Sequence, residues 1–194
     1  MSAPGRPKRE YRPPGGSEAA KPRGWGASYK HAHRVLRHVV TDHLSVRRVF
    51  PRSALTRIEQ AIAAGERTHR GQVCFAIEGA LPPLRVLHRI TPRERALEVF
   101  GLLHVWDTEE NAGVLIYLLL ADRDVEIVAD RGIDRRVAPG AWQGICARME
   151  AAFRESRFVD GVLIGIGEIS ALLATHFPHT GNVPNELPDK PVVL

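Results

Sequence analysis

The stretch that decides the fold is "ENAGVLIYLLLADRDVEIVADRG", residues 110–132. Ten uncharged, almost entirely apolar residues, 112–121, stand before four carboxylates: Asp122, Asp124, Glu126 and Asp130. A helix needs about 20 apolar residues to span a bilayer, so this run is too short for a membrane segment. It predicts instead a buried central strand, a tight turn, and a second strand that returns antiparallel to the first.

The segments around this stretch predict alternating strands and helices. Residues 72–77, "QVCFAI", read as a short buried strand, and "TPRE" at 91–94 is a capping box that starts a helix. A strand–helix–strand order implies a right-handed crossover and a parallel strand pair. Amphipathic patterns from Trp142 to Phe153 and over 161–177 predict two more helices. We therefore predict an α/β fold, an α/β/α sandwich with a small mixed sheet.

Charge is distributed unevenly along the chain. Residues 1–50 contain 11 Lys and Arg against 3 Asp and Glu, a net of +8, whereas residues 51–194 contain 16 against 19, a net of −3. Residues 1–28 are rich in Pro, Gly, Lys and Arg, which predicts a disordered basic tail. Residues 29–49 have apolar positions at helical spacing, which predicts a basic amphipathic helix. These apolar positions are Val35, Leu36, Val39, Val40 and Leu44.

The remaining boundaries follow from composition. We expect the α/β domain over 50–180 and a second, proline-containing tail over 181–194. Residues 1–30 contain no apolar run typical of a secretory signal, and we expect no transmembrane segment. With only two cysteines, a disulfide scaffold is excluded, and we expect a cytoplasmic protein.

Several segments resemble the TPM domain family, over about Phe50 to Pro178. The most specific are "NAGVLIYLL", the turn at Asp122–Arg123 and the "DRGI" loop at 130–133. The family includes a thylakoid-lumen acid phosphatase, photosystem repair factors and many bacterial proteins. The resemblance implies an α/β/α sandwich with a shallow acidic cleft, divalent-metal binding and weak phosphatase activity. Many relatives read "DNGVLL" where this chain has "ENAGV", and many carry a secretion signal and a membrane anchor, which we do not find here.

Two groups of acidic residues are candidates for a Ca²⁺ or Mg²⁺ site, because hard cations require several oxygen ligands at one point. Antiparallel pairing would bring the first group together at the open end of the hairpin: Glu109, Glu110, Asn111, Asp130 and Asp134. The second group would lie at the turn: Glu78, Asp122 and Asp124. The alternative is that these residues only form turns and solvate the ends of strands.

The candidate catalytic residues are Asp130, Asp122 and Arg123. "DRD" resembles an Asp-x-Asp phosphatase pattern with Asp122 as nucleophile and Asp124 as general acid, but no suitable lysine follows to hold a phosphate. Metal-assisted hydrolysis by carboxylates is the remaining route, with Arg123 or Arg131 holding the phosphate. We take Asp130 as the best single candidate.

A second function, from a different class, is a non-catalytic interaction or assembly module. The basic N-terminal segment could dock on an anionic membrane surface or on a protein partner, and the tail could contact nucleic acid nonspecifically. Nothing in the segment resembles a module that reads nucleic-acid sequence.

Overall fold

The computed structural model describes residues 25–41, 43–180 and 185–194. Its helices, α1 to α8, have the bounds Trp25–Val40, His43–Val49, Arg52–Glu66, Pro83–Leu87, Pro92–Leu102, Arg131–Asp134, Ala141–Arg154 and Phe158–His176. Its strands, β1 to β4, have the bounds Gln72–Glu78, Gly113–Leu119, Asp124–Ala129 and Val192–Val193. Of the predicted tail over 1–28, residues 1–24 lie outside the described residues, and residues 25–28 belong to α1.

The strands form one mixed sheet in the order β3–β2–β1–β4. β1 and β2 are parallel, as the capped helix α5 between them predicted. β2 and β3 are antiparallel, with Leu119 opposite Asp124 at the turn and Val114 opposite Ala129 at the open end. The apolar run of the quoted stretch is therefore a central strand, as predicted.

Helices cover both faces of the sheet, and this explains why the two central strands are apolar throughout. Every residue of β1 and β2 is buried. Because side chains alternate along a strand, Phe75 and Ile116 pack with α3, α7 and α8 on one face. Ala76 and Tyr117 pack with α4 and α5 on the other face. The predicted α/β/α sandwich with a small mixed sheet is confirmed.

The C-terminal segment packs on the sheet, whereas its composition predicted a tail over 181–194. Gln72 Oε1 accepts the backbone N–H groups of Glu186 and Leu187, both at 3.0 Å. Leu187 is buried, and β4 pairs in parallel with β1 as an edge strand. The composition of this segment does not indicate its two-residue strand, and Gln72, which holds Glu186, lies 114 positions before it in the sequence.

The N-terminal helical segment differs from the prediction in two respects. In place of the single helix expected over 29–49, the structure has α1, which ends at Val40, and α2, which begins at His43. Three residues of the expected apolar face also point outward, since Leu36 is 57%, Val39 60% and Val40 67% exposed, whereas Val35 packs against the core. α1 turns basic side chains toward the sheet instead, where they pair with a buried carboxylate described below.

α8 is the one helix in the described ranges that is long and apolar enough to cross a membrane, judged by length and composition alone. It packs against α3 and α7 in the core, where Val162, Ile166, Ile169 and Leu173 are buried. Core packing accounts for the apolar character of these positions.

Candidate functional site

The two loops at the open end of the β2–β3 hairpin are in contact. Asp130 N–H donates to Gly113 O at 2.8 Å, and Gly132 N–H donates to Asn111 O at 2.9 Å. A β-carbon on Gly132 would lie 2.4 Å from Asn111 O and 2.7 Å from Glu110 O. Glycine is therefore required in the "DRGI" loop, because both neighbours are backbone atoms with little freedom to move.

Asp130 lies at the centre of this contact and is only 8% exposed. Its Oδ1 atom accepts the Arg131 N–H at 2.6 Å and so caps α6. Its Oδ2 atom is buried and has no hydrogen-bond donor among the described residues. Burial of a polar atom normally requires such a partner, and the described residues do not supply one to this oxygen. We call residues 109–111 and 130–134 the Asp130 site.

Two other carboxylates of the Asp130 site are engaged by side chains outside it. Glu110 forms an ion pair with Arg70. Asp134 Oδ1 accepts a hydrogen bond from Trp142 Nε1 at 3.0 Å. Each of these two carboxylates therefore has one oxygen occupied by a residue outside the site.

The last two predicted ligands also lie in the site. Asn111 has a left-handed backbone, with φ 51°, and its Oδ1 accepts Arg131 Nε at 3.3 Å. Glu109 is exposed, and its backbone N–H donates to Glu186 Oε2 at 2.9 Å. Within the described ranges, no group of three or more His, Cys, Asp or Glu side chains is arranged to hold a metal ion. The five predicted ligands thus share one end of the hairpin, but their side-chain oxygens do not converge.

Asp122, at the turn end of the hairpin, is held by basic side chains of α1. Arg34 Nε lies 2.9 Å from Asp122 Oδ2, and Arg37 Nη2 lies 3.0 Å from Oδ1. His38 Nε2 faces Oδ2 at 3.2 Å. Since His38 Nδ1 accepts the Leu81 N–H at 2.9 Å, the Nε2 atom is the one that carries the proton. Both oxygens of the carboxylate are therefore occupied.

These contacts keep Asp122 ionised. Burial raises the pKa of its carboxyl, but the hydrogen bonds from His38 and Arg34 outweigh burial and hold the pKa below its ordinary value. A carboxylate with both oxygens engaged is suited to anchoring α1 on the sheet. It is not presented to solvent as a nucleophile.

Arg123 follows Asp122 in the turn and is exposed. Its backbone is left-handed, with φ 52°, and its Cζ atom lies 5.9 Å from the centroid of the Phe158 ring. The whole of β3 separates Arg123 from Asp130, roughly 20 Å at the rise of an extended strand. The three predicted catalytic residues are thus divided between opposite ends of the hairpin.

The alternative acidic group, Glu78, Asp122 and Asp124, does not form one cluster. Glu78 is buried, and its Oε2 accepts Tyr117 Oη at 2.7 Å and Arg95 Nε at 2.8 Å. Asp122 is engaged by α1. Burial and neighbouring carboxylates raise the pKa of Asp124 to about 6, and its Oδ1 atom has no donor in the described part of the chain. Each of the three residues therefore has a separate environment.

Sequence reasoning missed the basic partners of these acids. Arg34 lies 88 positions from Asp122, and Arg70 lies 40 positions from Glu110. No local pattern indicates such pairs. The one available cue is that Arg34, Arg37 and His38 share a helical face at spacings of three and four residues.

The chain is similar to one protein family and to solved structures, of which one is described here. The family model described as the TPM domain matches residues 46–172. The NMR structure of the BA42 protein from the psychrophilic bacterium Bizionia argentinensis is similar, with a TM-score of 0.65 and 26% sequence identity. That similarity covers 73% of this chain and 92% of BA42. None of the curated proteins compared with the chain matches it.

Proposed function

The chain belongs to the TPM domain family, and from this premise we propose that its Asp130 site binds a divalent cation, Ca²⁺ or Mg²⁺. The observation that carries the proposal is the buried Oδ2 atom of Asp130, which has no donor among the described residues. A cation would supply the compensation that this oxygen lacks. The close approach of Gly132 to the carbonyl oxygens of Glu110 and Asn111 places further oxygens nearby.

The residues of the site fit a weakly held, hydrated ion. Asp130 offers its Oδ2 atom, which has no donor among the described residues. Glu109, in the loop that faces Asp130, is exposed. Glu110 and Asp134 join the ligand set only after leaving Arg70 and Trp142. Because Mg²⁺ commonly uses one or two carboxylates and keeps its waters, we expect dissociation constants on the order of millimolar.

We attach weak, metal-assisted hydrolysis of phosphate monoesters to the same site. A bound divalent cation supplies charge stabilisation and lowers the pKa of a bound water. Arg131 is exposed and lies against Asn111, so its guanidinium can hold a phosphate by paired hydrogen bonds. In this proposal, Asp130 is the carboxylate that holds the cation for the hydrolysis. Asp122 and Arg123 lie too far away to take part.

The test of the binding proposal is thermal unfolding in the presence of Ca²⁺ or Mg²⁺. A ligand that binds only the folded state raises the unfolding midpoint, and an ion at ten times its dissociation constant adds about 1.4 kcal/mol. We expect this rise in the wild type and in Asp107→Asn, a control at an exposed carboxylate. Asp130→Asn should abolish it, although asparagine preserves the helix cap. Equal responses in all three proteins would show that the ions do not bind at Asp130.

The catalytic proposal needs a separate measurement, the hydrolysis of a generic phosphate monoester. Activity should require the metal, fall in Asp130→Asn and persist when residues 1–24 are deleted. Hydrolysis that survives Asp130→Asn at the wild-type rate would exclude this site as its source.

A second candidate function is docking on an anionic membrane surface through α1. The specific observation is that Leu36, Val39 and Val40 form an outward-facing apolar strip. This strip lies within residues 1–50, which carry a net charge of +8. An amphipathic helix with apolar and basic side chains inserts into the interface of anionic bilayers. The ion pairs of Arg34 and Arg37 with Asp122 hold the strip in this orientation.

Vesicle co-sedimentation tests the docking proposal. Phosphatidylcholine vesicles doped with phosphatidylglycerol should bind the protein more strongly than neutral vesicles. The double substitution Leu36→Ser and Val39→Ser should weaken binding. Ile164→Ser, at an exposed position on α8, should leave it unchanged. Equal binding by the double variant would reject α1 as the membrane-contacting face.

A further inference from the structure

We propose that a cleft at the turn end of the hairpin binds a phosphate group, carried either by a small soluble molecule or by a lipid headgroup. The cleft has a volume of about 530 Å³ and is bordered by α2, the β2–β3 turn and the start of α8. We call it the arginine cleft, after Arg48, Arg123 and Arg157, which line it. Its volume is within the range of ordinary small-ligand sites.

The charges of the arginine cleft favour an anion. Neither Arg48 nor Arg123 has a carboxylate within salt-bridge distance in the part of the chain that the structure describes. Arg157 shares its guanidinium with Glu155, at 2.6 and 2.9 Å. Asp160 is the acidic residue in the lining, and with Glu155 beside Arg157 the three arginines meet two carboxylates, so that Arg48 and Arg123 remain available to an anion. Guanidinium groups with free N–H donors match the oxygens of a phosphate group.

The backbone around the cleft holds these side chains in an uncommon arrangement. Arg123 has φ 52° and Ser156 has φ 61°, both in the left-handed region that non-glycine residues rarely adopt. The guanidinium of Arg123 lies over the ring of Phe158, with Cζ 5.9 Å from the centroid. A cation–π contact of this kind fixes the direction of the guanidinium before a ligand arrives.

The start of α8 strengthens the attraction for an anion. Arg157 is the N-cap residue of this 19-residue helix, and its side chain does not cap the first N–H groups. The positive end of a helix dipole adds to the field of the three arginines. Asp160, in the first turn, offsets part of that field.

The arginine cleft is separate from the Asp130 site. The length of β3 lies between Arg123 and Asp130, and the cleft contains none of the residues proposed to hold the cation. The inference therefore does not depend on divalent-cation binding or on phosphatase activity.

The experiment is a titration of the full chain with inorganic phosphate, in the presence of a metal chelator, followed by amide chemical shifts. Shifts should concentrate at residues 48–49, 123 and 156–160. Arg48→Gln and Arg123→Asn should each weaken phosphate binding about tenfold, the worth of one hydrogen bond to a charged group. Asparagine is chosen at position 123 because it tolerates the left-handed backbone. Thermal unfolding of each variant confirms that it folds.

Two control variants test whether the effect is specific to the arginine cleft. Arg57→Gln removes an exposed charge from α3, and it should leave phosphate binding unchanged. Asp130→Asn should also leave it unchanged, which distinguishes this cleft from the Asp130 site. Absence of saturable phosphate binding, or equal weakening by Arg57→Gln, would overturn the proposal.

A second pair of titrations identifies the source of the phosphate group. Glycerol 3-phosphate tests a soluble ligand. Vesicles of phosphatidylcholine doped with phosphatidic acid test a lipid headgroup. The control vesicles carry the same charge in the form of cholesteryl hemisuccinate, an anionic lipid whose charged group contains no phosphate. Preference for either phosphate-bearing probe, lost in Arg123→Asn, supports the proposal and assigns the source. Equal affinity for the two kinds of charged vesicle, without binding of glycerol 3-phosphate, would refute phosphate recognition.

Discussion

Asp122→Asn is expected to release α1 from the sheet while the rest of the domain stays folded. The substitution keeps the size of the side chain and removes its charge. Arg34 and His38 then lose the carboxylate that compensates their burial. This carboxylate is one of the attachments of the helix, beside the packing of Val35 against the core and the hydrogen bonds of Arg34 to Ile90 O and of the Leu81 N–H to His38.

The magnitude follows from the burial of the partners. Removing one partner of a fully buried ion pair costs about 3–5 kcal/mol, and an exposed pair contributes about 0–1 kcal/mol. The side chains of Asp122, Arg34 and Arg37 are 8%, 18% and 50% exposed. We therefore place the loss between those limits, at about 2 kcal/mol. A loss of that size increases the population of the detached helix about 30-fold.

Hydrogen exchange measures this detachment directly. Amides of residues 33–40 should exchange about 30-fold faster in Asp122→Asn, while amides of β2 should change little. Since the pKa of Asp122 lies below its ordinary value of 3.8, its contribution is complete above that pH and is lost as pH falls through the folded pKa. The two proteins should thus converge in acid. Unchanged exchange in α1 at neutral pH, or equal acceleration in the exposed control Asp107→Asn, would refute the anchoring role.

Three further predictions concern stability. Gly132→Ala should lower the unfolding midpoint, with a loss of about 1–3 kcal/mol in the free energy of unfolding, because its β-carbon would meet backbone oxygen atoms. Gly167→Ala, with no neighbour within 4 Å, should raise the midpoint. A Gly132→Ala protein as stable as Gly167→Ala would contradict this contact. Burial, with help from a nearby carboxylate, raises the pKa of Glu66 to about 8. Because the folded state then holds the proton, stability should fall as pH rises from 4.5 to 8. Glu66→Gln should flatten that profile in thermal melts, and an unchanged slope would exclude Glu66 as its source. Tyr117→Phe removes a donor from buried Glu78 and should cost about 1–3 kcal/mol in denaturant unfolding, and a loss near zero would show that Glu78 does not need it.

Much of the fold could be predicted from local sequence patterns. The ten-residue apolar run, the tight turn after it and the alternating strand over 125–129 specify a buried hairpin. The capping box at Thr91 specifies the start of α5, and the structure contains both of its hydrogen bonds. Antiparallel pairing alone brings Asn111 and Asp130 to one end. These features depend on neighbouring residues, so the sequence displays them directly.

The features that could not be predicted depend on contacts between distant residues. The spacing of apolar residues predicted an amphipathic helix, but it could not show that Arg34 and His38 face the buried carboxylate of Asp122. The C-terminal segment has no periodicity, because its position is set by the side chain of Gln72 and the edge of β1. The sequence predicted that residues 109–111 and 130–134 lie together at the open end of the hairpin, and they do. The directions of their side chains could not be predicted, since Arg70 and Trp142 engage two of these acids from elsewhere in the chain.

The most direct test of cation binding is a Ca²⁺ titration of the wild type and Asp130→Asn, followed residue by residue through amide chemical shifts. We expect saturable shifts that concentrate at 109–111 and 130–134 in the wild type and disappear in Asp130→Asn. Shifts at those residues that persist in Asp130→Asn, or an absence of shifts there at millimolar Ca²⁺, would contradict a cation site at Asp130.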